Sequence, residues 1–200
     1  MSTRWYREKK REHYYKQAKK TGYRARSAFK LLQIQKKFNI IQTGDTIVDL
    51  GAAPGGWSQV AKKLVGNDGK VIGIDLLHIV PLPDVVFLQG DMTQDSSIQE
   101  IKNNMNYEKA DVILSDMSPD ISGNYSLDQA RSIYLCEKAL ETVENLLRPG
   151  GNFTCKVFAG EDLKTLTDEI KSKFKMVKQY SPPASRKSSS EIYIVAKGYK

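Results

Sequence analysis

The sequence predicts an α/β fold: seven strands in a mostly parallel sheet, helices on both faces, and a last strand that runs antiparallel. Three observations lead there. Short apolar runs alternate with helical apolar patterns along most of the 200 residues, which implies parallel strands joined by right-handed crossovers. The first run breaks into a glycine-rich turn, Gly51–Gly56, before a helical pattern opens near Trp57. The final two runs are joined by a polar loop over 181–190 that contains Pro and Ser and no helical pattern. Such a return suits an antiparallel neighbour better than a parallel crossover.

Each element has its own signal. Residues 26–38 read as a helix, with Phe29, Leu31, Leu32, Ile34 and Phe38 apolar and Ser27 placed to cap the start. Thr46–Leu50 is the first strand, and Val60, Ala61 and Leu64 mark one face of the helix after the turn. Val71–Ile74 is the second strand, ending at Asp75; Val85–Leu88 is the third, closed by Gly90, Asp91 and Met92. A short helix covers Ser96–Asn103. Ala110–Ser115 is the fourth strand and runs into Asp116-Met-Ser-Pro119. A long helix over Leu127–Leu147 is stopped by Arg148-Pro-Gly-Gly151. Strand five is Asn152–Phe158, a helix follows over Leu163–Phe174, strand six is Met176–Tyr180, and the last strand is Glu191–Ala196.

The basicity is concentrated. Residues 1–40 carry 13 of the 31 Lys and Arg but only 2 of the 23 Asp and Glu, a charge of +11, while the remainder comes to −3. Residues 1–26 therefore read as a basic N-terminal arm for RNA, and 27–200 as a single domain. Trp5, Tyr6, Tyr14, Tyr15 and Tyr23 are interleaved with the cations, so phosphate contacts and base stacking are both available. The competing reading is an arm whose aromatics pack on the domain. No apolar run is long enough to span a membrane, and the first residues lack a signal-peptide core. Cys136 and Cys155 form no metal or disulfide spacing and read as reduced core thiols of a cytoplasmic protein.

The turn does not suit a dinucleotide, which would need G-x-G-x-x-G, and it lacks the Gly-Lys-Ser/Thr of a phosphate-binding loop. Asp49 just before it would repel phosphates but suits a cation. Asp75 stands where ribose hydroxyls are held in nucleotide folds, and Asp91 could face an adenine or simply cap its own turn. Together these fit S-adenosylmethionine, which has an ammonium and a ribose diol. An ordinary strand–turn–helix with a solvated Asp49 is the plainer alternative.

Ligands of open α/β sheets bind beyond the carboxyl ends of the strands. Strand four ends at Asp116, strand five near Lys156, and an antiparallel last strand begins at Glu191 on that same edge. Lys156 lies within Phe153-Thr-Cys-Lys-Val-Phe158, where a solvated ammonium is out of place. Burial of a lysine is costly unless it is paired, and a buried lysine can serve as a general base. A Lys snorkelling from an edge strand is the alternative. Lys30, alone, reads as a solvated helix residue. Base-amine methylation commonly uses Asp/Asn-Pro-Pro-Tyr/Phe after strand four, and C5 methylation needs a cysteine nucleophile; neither pattern is present, which leaves a hydroxyl acceptor. A non-enzymatic RNA-binding protein would account for the arm but not for the converging lysine and carboxylates.

Several stretches closely resemble the FtsJ/RrmJ (RlmE) family of RNA ribose 2′-O-methyltransferases. They are Gly22-Tyr-Arg-Ala-Arg-Ser-Ala-Phe-Lys-Leu31, Val48-Asp-Leu-Gly-Ala-Ala-Pro-Gly-Gly-Trp-Ser-Gln59, Ile74-Asp-Leu76, Gly90-Asp91, Leu114-Ser-Asp-Met-Ser-Pro119, Cys155-Lys-Val-Phe158 and Arg186-Lys-Ser-Ser-Ser-Glu-Ile-Tyr193. The resemblance implies a Rossmann-like S-adenosylmethionine-dependent methyltransferase fold. It implies a catalytic set of Lys30, Asp116, Lys156 and Glu191, with Lys156 as proton acceptor. Cofactor contacts are implied at Gly55, Trp57, Asp75, Asp91 and Asp116, with no metal. The expected substrate is a ribose, of a uridine, in large-subunit (23S) ribosomal RNA, within the large subunit; the tRNA anticodon loop is the alternative. A monomer is expected.

Overall fold

A computed structural model describes residues 14, 16–18, 20–185 and 190–200. The elements follow the predicted order: α1 (Ala28–Phe38), β1 (Thr46–Leu50), α2 (Gly56–Val65), β2 (Lys70–Asp75), β3 (Val86–Gln89), α3 (Asp95–Asn104), β4 (Ala110–Ser115), α4 (Tyr125–Leu146), β5 (Leu147–Phe158), α5 (Leu163–Lys173), β6 (Phe174–Tyr180) and β7 (Glu191–Tyr199). The seven strands form one sheet in the order β3-β2-β1-β4-β5-β7-β6. β1 to β5 pair in parallel, and β7 inserts antiparallel between β5 and β6. Among the described residues no helix is long and apolar enough to cross a membrane.

Strand alternation divides the core in two. Phe153, Cys155 and Val157 of β5, with Ile194 and Ala196 of β7, face α3, α4 and α5 in one cluster. Tyr193 and Val195 of β7, with Val112 and Leu114 of β4, face α1 and α2 in the other. The polar residues of the same parity as that second face, Asp49 and Lys156, are thereby carried to the α1–α2 side.

Element ends differ from the sequence reading where a neighbour decides them. Arg148-Pro-Gly-Gly151 ends α4 but also belongs to β5, because Leu147 pairs with Ala110 across a register irregularity. β6 and β7 are each longer than predicted, since the pair continues outward to Phe174 against Tyr199. Ser27 occupies the start of α1 without a side-chain capping bond. Its carbonyl instead accepts from the Trp57 indole at 2.9 Å.

The predicted arm is described only in part; Trp5, Tyr6, Tyr15, Arg186 and Lys187 lie outside the described residues. Tyr14 and Tyr23 pack on Phe29, with centroids 5.4 and 5.6 Å away. For these two aromatics packing on the domain is the reading that holds. Cys136 and Cys155 are buried free thiols, and the Cys136 thiol donates to the Lys156 carbonyl at 2.9 Å.

Candidate active site

The carboxyl edge of the sheet gathers the predicted catalytic residues from four elements. Lys30 comes from the first turn of α1, Asp116 from the end of β4, Lys156 from β5 and Glu191 from the first position of β7. The antiparallel register of β5 and β7 sets Lys156 opposite Tyr193 and Phe158 opposite Glu191. The result is two ion pairs side by side. Lys30 Nζ lies 2.6 Å from Glu191 Oε1. Lys156 Nζ lies 3.1 Å from Asp116 Oδ1 and donates to the Asp116 carbonyl at 2.6 Å. Both lysines are buried, at 6% and 7% exposure. The structure thus rejects the snorkelling reading of Lys156 and the solvated reading of Lys30. A lysine this deep requires a carboxylate partner, and each has one.

Tyr193 joins the pairs, a role that no pattern in the sequence announces. Its hydroxyl donates to Asp116 Oδ1 at 2.6 Å, and its ring lies 5.5 Å from the Lys30 ammonium. The ring stacks on Trp57 at 5.6 Å and 27°. Burial pushes the phenol well above its ordinary value, and the Asp116 and Glu191 carboxylates add to the effect. It is therefore a neutral donor at any ordinary pH. Ser185 donates to the same Glu191 oxygen, Oε1, at 2.9 Å.

Beside this cluster lies the glycine turn. Gly51 and Gly55 have φ of 70° and 101°, a backbone that side chains rarely adopt. Their neighbours are the chain's own: a Cβ on Gly51 would overlap Met117, and one on Gly55 would come within 3.0 Å of Arg24 and 3.3 Å of Phe87. The turn is glycine-rich first because the protein packs on itself there. Gly55 precedes α2, whose first amides are free of intrahelical partners and lie at the turn. The Trp57 side chain is 2% exposed, so any cofactor contact from Trp57 falls to its main chain. Asp75 is held by the amides of Ala53 and Leu77, each at 2.9 Å. Asp91 does cap its own turn, accepting from the Thr93 amide and hydroxyl at 2.9 and 2.8 Å.

Asp49 is fully buried, and its Oδ2 accepts from the Ser58 hydroxyl at 2.6 Å while Oδ1 has no partner. Burial pushes its carboxyl up to about 7 despite the Ser58 bond, and Asp116 and Asp75 push the same way. Three carboxylates crowding one turn make a site for positive charge. That is the observation by which the residues present fit a cationic cofactor such as S-adenosylmethionine.

Arg24 and Gln59, which stand in the matching stretches with no role of their own, also shape the site. The Arg24 guanidinium donates to Pro54 O at 3.2 Å and Pro81 O at 2.7 Å, and to Val80 O. Gln59 of α2 accepts from Arg24 N at 3.1 Å and donates to Gly22 O at 2.8 Å. Arg24 thereby ties the glycine turn to the loop after β2. Its partners are main-chain carbonyls, which no sequence pattern displays.

Known proteins resemble this chain over most of its length. Ribosomal RNA large subunit methyltransferase E of Methanosarcina mazei is 50% identical over 190 residues, covering 95% of this chain and 70% of the relative. The protein of the same name from Acinetobacter baumannii is 46% identical over 199 residues, covering 100% and 92%. A solved Plasmodium falciparum protein, assigned as a ribosomal RNA methyltransferase, is 30% identical with a TM-score of 0.81, covering 88% of this chain and 98% of that one. Fibrillarin of Aeropyrum pernix, solved with S-adenosyl-L-methionine, shares the fold at 17% identity and a TM-score of 0.57, covering 87% and 75%. The family model described as FtsJ-like methyltransferase matches residues 23–199, and the chain belongs to that family.

Proposed function

We propose that this protein transfers a methyl group from S-adenosylmethionine to a ribose 2′-hydroxyl of large-subunit ribosomal RNA, with Lys156 as general base. The observation that carries the reading is the buried Lys156 with both Asp116 contacts on one side of it. The names of the curated relatives support the ribosomal substrate. The Asp116 carbonyl accepts from Lys156 at 2.6 Å and Oδ1 lies 3.1 Å away, so the amine is held in place at the strand ends, where it would take the proton of the acceptor hydroxyl. A 2′-hydroxyl is a weak nucleophile until its proton is taken, so this placement matters. Tyr193 holds the same Asp116 oxygen and fixes the carboxylate. Lys30, held by Glu191, would contact the target nucleotide.

When bound, the cofactor supplies a sulfonium methyl group for in-line displacement. Asp75 would hold its ribose, Asp91 its adenine end, and Gly55, the Trp57 amide and Asp116 its methionyl part. Asp49 would balance its charge from beneath.

The test is methyl transfer from labelled S-adenosylmethionine to large ribosomal subunits, deproteinised ribosomal RNA and bulk tRNA, with wild type beside Lys156→Ala. Label on a ribose 2′-oxygen of the subunit RNA, lost in the variant while the cofactor still binds, is the expected result. Label on tRNA alone would overturn the ribosomal substrate, and a variant that keeps its turnover would overturn the base.

A further inference from the structure

Asp116 opens a loop that leads into α4, and the loop and the first turn of that helix expose large apolar side chains. Ile121 is 65% exposed, Tyr125 60% and Leu127 43%. Single exposed apolar residues are ordinary, but a group of them beside a functional edge marks a contact surface. This loop is also stiff. Asp128 accepts from the Ser122 amide at 2.8 Å, the Ser122 hydroxyl at 2.7 Å and the Gly123 amide at 3.2 Å. Asn124 caps α4 by accepting from Leu127 N at 3.2 Å.

Tyr125 is fixed at both ends. Its backbone begins α4, and its hydroxyl donates to Ala159 O at 2.5 Å. Ala159 in turn donates to Ser190 O at 2.8 Å, next to the pairing of Phe158 with Glu191. The phenol is thus anchored at the strand ends from which Lys156 and Glu191 arise, yet most of its ring stays open.

We propose that Tyr125 is the platform on which a base at or beside the methylated nucleotide stacks. The inference rests on the reading of the chain as an RNA ribose methyltransferase. A nucleotide drawn out of its helix to present its ribose to Lys156 loses stacking on its neighbours. An aromatic side chain restores that stack and tolerates any base, since every base has a flat face. A ring already held by its hydroxyl loses little freedom on contact, so more of the stacking energy reaches binding.

Tyr125→Ala, Tyr125→Phe and Tyr125→Trp would be compared with wild type for methyl transfer to large ribosomal subunits and to bulk tRNA. Tyr125→Ala should lower kcat/KM for RNA about tenfold, the size of one base–aromatic stack, while the two aromatic variants stay within about threefold. KM for S-adenosylmethionine and Tm should hold in all three. An unchanged RNA kcat/KM in Tyr125→Ala would overturn the proposal. So would a Phe variant as impaired as Ala, since the bond to Ala159 would then matter and the ring would not. The wild-type protein alone decides which RNA is methylated, so a failed ribosomal reading appears there and the stacking claim is judged on the RNA that is used.

Discussion

A charged residue inside an apolar run is a loud signal, and Lys156 gave itself away by it. Tyr193 made no such signal. It is one of ten tyrosines, it fits the alternation of an ordinary strand, and its importance lies in a hydroxyl placed between charges that the chain brings together only on folding. Tyr193→Phe keeps the stack on Trp57 and removes only the bond to Asp116. It should lower kcat about tenfold with little change in Tm, as expected when one orienting hydrogen bond to a charged group is removed. Tyr193→Ala should also destabilise the fold by about 3–5 kcal/mol, read in denaturant titrations. Asp49 makes a different prediction. Its carboxyl titrates near 7 in the folded protein against 3.8 as the ordinary value. A raised folded value means the neutral form favours folding. That contribution is full below about pH 4 and is lost as pH rises through about 7, amounting to roughly 4 kcal/mol at most. Without cofactor, the stability of wild type should therefore fall across that window, and Asp49→Asn should fall less. Parallel curves for the two proteins would show that Asp49 is not what titrates.

At the scale of elements, strands β1 and β4 were legible to the residue because their boundaries are local: an apolar run followed by a turn. β5, β6 and β7 were legible in place but not in length. The outer ends of β6 and β7 are fixed by their pairing with each other and that of β5 by Leu147 meeting Ala110 of β4, and Leu147 or Lys197 alone says nothing about a partner. The surroundings of the glycine turn show the same limit. Asp75 and the glycine turn are readable motifs, whereas the tie between the turn and the loop after β2 depends on Arg24 meeting three carbonyls. Arg24 stands among the cations of the basic segment, yet its guanidinium is engaged by protein. Arg24→Ala should loosen both loops and raise KM for S-adenosylmethionine by about tenfold, within the range expected for removing charged hydrogen bonds. The salt dependence of RNA binding should stay as in wild type. A changed salt slope with unaltered cofactor KM would place Arg24 on the RNA instead.

For the whole molecule, the uneven charge is the feature that sequence shows best, because it needs no folding to be counted. Replacing Lys9, Lys10, Arg11, Lys19 and Lys20 together by Gln should weaken RNA binding. It should also flatten the plot of log K against log salt by up to roughly 0.7–0.9 for each phosphate that is no longer neutralised. An unchanged slope would put the footprint on the folded domain. The position of β7 has a further consequence. The charged cluster takes Lys30 from α1, but also Glu191 and Tyr193 from the strand that enters the sheet last in chain order and sits in its interior. A nascent chain whose β7 is still inside the translating ribosome has no Glu191 for Lys30, no Tyr193 for Asp116 and no neighbour for β6. The cluster can therefore close only after β7 has left the ribosome, and a site built on it would be idle in any chain still short of that point.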